Sequence, residues 1–375
     1  MVLFIFLMSF VPEDSNFHYL MDRQIGRYLP EWEVRFDSTR NGMRTNQGCL
    51  DLLNWYIDLE LRYEARLANW LGLRYRNHYL GDYGVHKTDH FFEPFFPIRP
   101  DQRIYLSITT HYYKGENELG VGYFLGRDYV NCLETFIVAE NFDRNFSLKE
   151  SGSSHDVRTY RMWPIDWRGT ITKNWPGSRL NLKWELSIPY KLESTDDPLT
   201  YRETGTHRSF YGRFWKDFSR IRIGALVDYR YSLTDRTDTS YHFRHTYNEI
   251  LAEPMVGYQV SGHWRPTLYL TFNRKSNRDS AFVENNVFAY YIDLEYRPVP
   301  LRNPDLAGTF IWHFGTQREY YADNRDIKYR ERRINLSLEY RFRNLWFNLH
   351  EAMEGDFPTP KYLHNHTYVQ MMMKF

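Results

Sequence analysis

Two stretches of this chain alternate between apolar and polar residues with a period of two, which constrains the fold more than any other feature. In the first, Leu180, Leu182, Trp184, Leu186, Ile188, Tyr190 and Leu192 are interleaved with Asn181, Lys183, Glu185, Ser187 and Lys191. In the second, Ile221, Ile223, Ala225, Val227, Tyr229, Tyr231 and Leu233 are interleaved with Arg222, Asp228, Arg230 and Ser232. Successive side chains of a strand point to opposite faces, so each stretch predicts a strand with one charge-free face. The pattern recurs in Leu53, Trp55, Ile57, Leu59, Leu61 and Tyr63, in Ile104, Leu106 and Ile108, in Phe288, Tyr290, Ile292, Leu294 and Tyr296, and in Ile334, Leu336, Leu338, Tyr340 and Phe342. The run lengths bracket the ~9–11 residues with which a tilted strand crosses a bilayer.

Composition narrows the kind of strand protein. A mean hydropathy of −0.65 and 25% charged residues exclude a membrane protein built of helices, and no internal stretch approaches the ~20 apolar residues a spanning helix needs. A membrane barrel stays open, because only every second strand residue meets lipid while the lumen side is polar. The aromatic share of 18% fits that reading. Tyr63, Tyr190, Tyr231, Tyr296, Phe342 and Phe375 sit near the ends of apolar runs, where a ring can bury its body and keep its edge at the interface. A soluble all-β protein covering its core with the same residues is the alternative.

The connections between runs alternate in length. Short ones fall at 64–66, 126–128, 175–178, 216–219, 263–266 and 343–344, and long polar ones at 37–52, 77–88, 142–165, 193–206, 234–248, 273–285, 316–332 and 354–365. Two break the pattern: 114–117 is short where a long loop is due, and the Pro-rich 297–305 is long where a tight turn is due. Segment 90–97 carries two prolines and reads as a bulged strand or a loop along the rim. The stretches 130–141 and 204–216 have mixed parity.

The chain ends His366-Thr367-Tyr368-Val369-Gln370-Met371-Met372-Met373-Lys374-Phe375, with Val369, Met371, Met373 and Phe375 on one parity. This strand, ending on an aromatic residue, resembles the closing strand of Gram-negative outer-membrane β-barrels of the porin-like class. The resemblance implies that Phe375 is an assembly signal read by the barrel assembly machinery. It also implies a periplasmic C-terminus. Counting back from there puts the long loops outside and reaches about 18 strands, or 16 as the alternative count. The expected fold is thus all-β, a transmembrane antiparallel up-and-down barrel over 32–375, with short periplasmic turns, long extracellular loops and both termini periplasmic. Residues 12–31 would form a periplasmic segment or plug. Residues 1–11 read as a truncated signal segment, apolar at 1–10 but lacking a basic start and a small-residue cleavage site.

Charge and cysteine count restrict the partners. With 48 Lys and Arg against 47 Asp and Glu, no net field attracts nucleic acid. Two cysteines, Cys49 and Cys132, define no disulfide framework or metal motif. Outer-membrane lipid is the expected surroundings, with a homo-oligomer or a periplasmic partner both compatible.

The inward parity carries Asp58, Glu60, Arg62, Arg74, Arg76, Lys183, Glu185, Arg222, Asp228, Arg230, Arg333, Glu339 and Arg341, the expected lumen lining. Such rows could brace the wall or set a field across a constriction, and their balance argues against strong ion selectivity. Tyr56, Trp70, Tyr75, Tyr105 and Trp346 fall on or near the same parity and suggest an aromatic slide. Catalytic signals are thin: no Gly-rich phosphate loop or Ser elbow occurs, and His350-Glu351 lacks the i+4 His of a zinc helix. The expectation is a non-enzymatic outer-membrane channel for passive diffusion of small polar or charged solutes, without cofactor or metal. The alternatives are a non-conducting barrel acting as scaffold, sleeve or surface-binding protein, and a hydrolase with a rim site at His350, His364 or His366.

Overall fold

The computed structural model describes residues 40–50, 54–82, 85–111, 117–142, 149–151, 154–156, 158–194, 201–238, 241–278, 283–296, 306–321, 325–354 and 366–375. Its strands, in chain order, are β1 (Gly42–Leu50), β2 (Asn54–Ala68), β3 (Leu71–Asp82), β4 (Val85–Arg99), β5 (Gln102–His111), β6 (Glu118–Asp128), β7 (Asn131–Ala139), β8 (Lys149–Ser151), β9 (Ser154–Asp156), β10 (Arg158–Met162) and β11 (Ile165–Trp175). There follow β12 (Ser178–Ile188), β13 (Tyr190–Ser194), β14 (Tyr201–Phe218), β15 (Ile221–Asp238), β16 (Tyr241–Tyr258), β17 (Trp264–Arg278), β18 (Val283–Tyr296), β19 (Leu306–Tyr321), β20 (Asp326–Phe342), β21 (Leu345–Glu354) and β22 (His366–Lys374). Among the described residues, β8 and β9 alone stand apart, as a separate hairpin.

The other 20 segments form one closed antiparallel sheet. Pro164 separates β10 from β11 and Pro189 separates β12 from β13, because proline cannot donate to the ladder. Each of these two pairs runs on as one stave, so the barrel has 18 staves. It closes where β1 pairs with β22 over nine residue pairs, from Gly42 opposite Lys374 to Leu50 opposite His366. The Phe375 N–H donates to the Asn41 carbonyl at 3.3 Å beside that seam.

The barrel is inverted relative to a soluble fold. Among the described residues, 23 buried side chains are polar or charged and 15 are apolar. Meanwhile Ile137 is 62% exposed and Val256 53% exposed on the outer face. A largely apolar exterior of that kind is stable against lipid and aggregates in water. On β17 the outward positions from Trp264 to Phe272 are all apolar and span eight residue steps. That is ~27 Å along the strand, or ~21 Å along the axis at a ~40° tilt, close to the ~25 Å apolar band of such barrels. At the turn end of the band Trp264 packs on Tyr296 at 4.7 Å and on Trp312 at 5.8 Å, part of an aromatic girdle.

Several segments differ from the sequence reading. Most of 37–52 is the stave β1, not a loop, because its outward positions include Thr45 and Gln47 and give no apolar parity to read. The long polar stretches 234–248, 273–285 and 316–332 are largely strand, with β15 and β16, β17 and β18, and β19 and β20 continuing past the apolar band as paired ribbons. Above lipid both faces are wet, so the hydrogen-bonded ladder persists while the alternation vanishes. Segment 90–97 belongs to β4, whose ladder to β5 skips Glu93 and Pro94 and shifts register between Pro97 and Arg99. Residues 1–31, connection 297–305 and most of 354–365 lie outside the described residues.

Candidate functional site: the charged lumen

Every lumen position anticipated from parity can be located. Asp58, Glu60 and Arg62 on β2 and Arg74 and Arg76 on β3 face inward. So do Lys183 and Glu185 on β12, Arg222, Asp228 and Arg230 on β15, and Glu339 and Arg341 on β20. Arg333 occupies a matching register position opposite Glu354, and its side chain lies outside the described residues. Among the aromatics, Tyr105 and Trp346 point inward and are buried. Tyr75 and Trp70 do not. Tyr75 packs on outward-facing Phe92 at 5.2 Å, and Trp70 follows a bulge in β2 and stacks on Phe96 at 6.4 Å on the outer rim. The side chains of Tyr56, His350, His364 and His366 lie outside the described residues.

Two ion-pair networks organise the space. The first centres on Glu93 of β4, fully buried, which accepts from Arg74 Nε at 2.5 Å, from Arg76 Nε at 3.0 Å and Nη2 at 2.6 Å, and from Ser107 Oγ at 3.4 Å. Arg74 reaches on to Glu134 of β7 at 2.5 Å and lies 4.2 Å over the Tyr105 ring. Nearer the turn rim, Glu64 takes Arg103 at 2.8 Å and the Tyr129 hydroxyl at 2.6 Å. The Arg74–Glu134 and Glu64–Arg103 contacts join staves that are not neighbours, which only the inward curvature of the wall permits.

The second network centres on Arg168 of β11. Its guanidinium meets Glu118 at 2.9 Å, Asp166 at 2.8 Å and Glu185 at 2.7 Å, and also bonds Glu140. His207 of β14 approaches Asp166 at 3.3 Å and Glu185 at 3.5 Å. Ligand atoms of Glu140, Asp166, Glu185 and His207 lie within 4.8 Å of one another, a spacing a metal ion could use. The Arg168 cation already sits among these carboxylates, so the group is bridged without an ion.

Between the networks is a cavity of about 880 Å³ lined from β1, β2, β3, β4, β5, β6, β7, β11, β12, β14 and β15. Its charged lining is six cations (Arg44, Arg62, Arg76, Arg168, Lys183 and Arg230) and six carboxylates (Glu60, Glu93, Glu118, Glu134, Glu185 and Asp228). Such a surface is wet and close to neutral overall, while strongly polar at every point. Towards the turn rim one side is thickened by Phe95, Tyr105, Phe124 and the free thiol of Cys132, with Tyr129 and Phe136 packed against them. Glycines let these rings lie flat on the wall. A Cβ at Gly72 would stand 2.0 Å from the Phe95 ring, and one at Gly122 would stand 2.2 Å from Phe136.

The sequence reading missed Arg44, Glu93, Glu118, Glu134, Asp166, Arg168 and His207. Arg44 lay in a presumed loop, Glu93 in a proline-bearing segment, and Glu134 and His207 in stretches of mixed parity. Usable signals were present for Glu118, which shares its parity with Gly120 and Gly122 against Leu119, Val121 and Leu125, and for Asp166 and Arg168, which flank Trp167.

No known family matches the chain, and no curated protein resembles it in sequence. Solved structures similar in shape include a bacterial polysaccharide outer membrane secretin, at 12% identity over 90% of this chain and 99% of that one, with a TM-score of 0.46. Two from Pseudomonas aeruginosa are OccK5, at 9% identity over 88% and 95% with a TM-score of 0.43, and OccK2 in complex with glucuronate, at 11% over 89% and 97% with a TM-score of 0.43. Likeness at that level goes no further than barrel architecture. On its own geometry the chain is an outer-membrane-type transmembrane β-barrel of 18 antiparallel staves.

Proposed function

We propose that the barrel is a passive channel for small polar or charged solutes across the bacterial outer membrane. The observation that carries this reading is the 880 Å³ lumen cavity in which six cations face six carboxylates. A polar solute entering it exchanges water for donors and acceptors of both signs, so neither charge type is strongly excluded. The reading needs no covalent step, cofactor or metal. The ribbons would face outward from the cell and the turn rim, with Phe375, the periplasm. Reconstituted into planar bilayers, the purified barrel should give discrete current steps with little preference between small cations and anions. A folded barrel that never conducts would retire the channel in favour of a sealed scaffold. The aromatic cluster at Phe95, Tyr105 and Phe124 is the feature that favours that alternative.

Phe375 is 57% exposed beside the closing seam and contributes little packing. Deleting it is therefore expected to lower the yield of heat-modifiable barrel in cells several-fold, while the fraction that folds melts at an unchanged temperature. A parallel fall in melting temperature would mean that Phe375 holds the seam rather than serving recognition by the assembly machinery.

A further inference from the structure

Charge is sorted along one side of the wall. The hairpin ends at 173–179 and 216–222, which join β11 to β12 and β14 to β15, lie side by side at the turn rim, with Ser178 opposite Lys216. They carry Lys173, Arg179, Lys216, Arg220 and Arg222 against one carboxylate, Asp217. Arg222 donates to Asp217 from Nε at 2.6 Å and from Nη2 at 2.9 Å, and Arg179 is buried. Lys173, Lys216 and Arg220 are exposed, and none of the three side chains has a carboxylate or hydrogen-bond partner among the described residues. On the flank, the Asp128 carboxylate accepts from the Val130 and Asn131 N–H groups of its own turn, with Arg127 beside it in the chain. Register sets Lys173 opposite Leu180 and Lys216 opposite Ile223, so both lysines take the outward parity. The other outward positions at this end of the four staves are Trp175, Ser178, Phe214, Phe218 and Ile221, with no carboxylate among them. Lys216 Nζ lies 4.6 Å from the centre of the Phe218 ring and Lys173 Nζ 5.9 Å from that of Trp175. Each stem therefore follows the wall and keeps its ammonium group at the edge of the apolar band.

We propose that this patch binds anionic phospholipid of the periplasmic leaflet, with Lys173, Lys216 and Arg220 on the headgroup phosphate and the acyl chains along Phe214, Ile221 and Ile223. Two inter-stave spacings and two residue steps separate the lysines by ~12 Å, so both flexible stems can turn to one headgroup. Three cations without a counter-charge favour a headgroup that is net negative. A zwitterionic headgroup would bring its own ammonium into the same field and gain less. The border position fits a ligand whose polar and apolar halves meet at that height, which a soluble acidic protein does not match. The proposal rests on the orientation given above, with the turn rim in the periplasm.

The test is native mass spectrometry of the whole detergent-purified barrel, titrated with phosphatidylglycerol and, separately, with phosphatidylethanolamine. Phosphatidylglycerol should bind more tightly than phosphatidylethanolamine. It should bind K173Q/K216Q/R220Q at least about tenfold more weakly than the unaltered chain, since each basic residue at an anionic surface adds to the attraction. R244Q/R325Q/K328Q removes three exposed cations from the ribbon end instead and should leave phosphatidylglycerol affinity unchanged. Equal affinity in K173Q/K216Q/R220Q and the unaltered chain overturns the proposal. So does an equal loss in both triple variants, which would make net charge alone the cause, and so does phosphatidylethanolamine binding as tightly as phosphatidylglycerol. All six side chains are exposed, and retained heat-modifiable mobility shows that the variants fold. Lipid binding is read without current, so a non-conducting barrel leaves this result intact. Orientation is read independently with S219C in the β14–β15 turn, using a maleimide too large to cross the outer membrane. Labelling only after the membrane is permeabilised supports the proposal, and labelling on intact cells overturns it.

Discussion

Replacing Glu93 with Gln should destabilise the barrel by about 3 kcal/mol, the lower end of the cost of breaking a buried ion pair by removing one partner. Glu93 is fully buried and binds Arg74, itself 3% exposed, and Arg76. Without the carboxylate, Arg74 keeps only Glu134, and a guanidinium with half its charge compensation stays locked under Tyr105. Arg76 is different, since 28% of its side chain is open to the lumen and it can turn to water. Arg76→Gln should therefore cost under about 1 kcal/mol, as half-exposed pairs do. The urea midpoint of the heat-modifiable band in liposomes measures both. Equal midpoints for the two variants would show that the Glu93 network is as hydrated as the open lumen and has no structural centre.

The second large effect concerns permeation. Arg168→Gln removes the guanidinium held among Glu118, Glu140, Asp166 and Glu185, and leaves a carboxylate-rich stretch of the lumen more acidic. An uncompensated charge near a passing ion is worth ~1 kcal/mol even at the dielectric of water, about a fivefold change in relative permeability. Under a salt gradient the reversal potential should move towards that of the cation by that factor. Lys183→Gln lowers the lining charge by the same unit without uncovering a carboxylate cluster. Its shift should be smaller. If both variants move the potential equally, only net charge matters and the Arg168 cluster sets no local field.

The barrel was readable wherever one face meets lipid. Strands such as β12, β15 and β18 declare themselves because the outward parity must be apolar and the inward parity must not. The declaration fails where that contrast fails. β1, with Thr45 and Gln47 outward, read as a loop, and the ribbons beyond the band read as loops because water wets both faces. The inward positions of Glu60, Arg62, Arg76, Glu185 and Arg230 followed from parity alone. Their partners did not. Arg74 finds Glu134 four staves away, Glu64 gathers Arg103 from β5 and Tyr129 from the β6–β7 turn, and Arg168 draws in Glu118 from β6, Glu140 from just past β7 and Glu185 from β12. Nothing local in the sequence encodes such chords, because they depend on how far the closed wall brings its inner face back on itself.

By itself, the sequence determined that the chain spans with strands, which face of the clearly alternating strands meets lipid, and that the terminal strand runs up to Phe375. These follow from a period of two and from the cost of charge in hydrocarbon, both local properties. Tertiary structure alone decided that β1 meets β22 and that the lumen charges resolve into a Glu93 cluster and an Arg168 cluster around one cavity. These depend on closure. A barrel's circumference and curvature are fixed only when the first and last staves pair, and until then residues 40 or more apart along the chain have no defined separation.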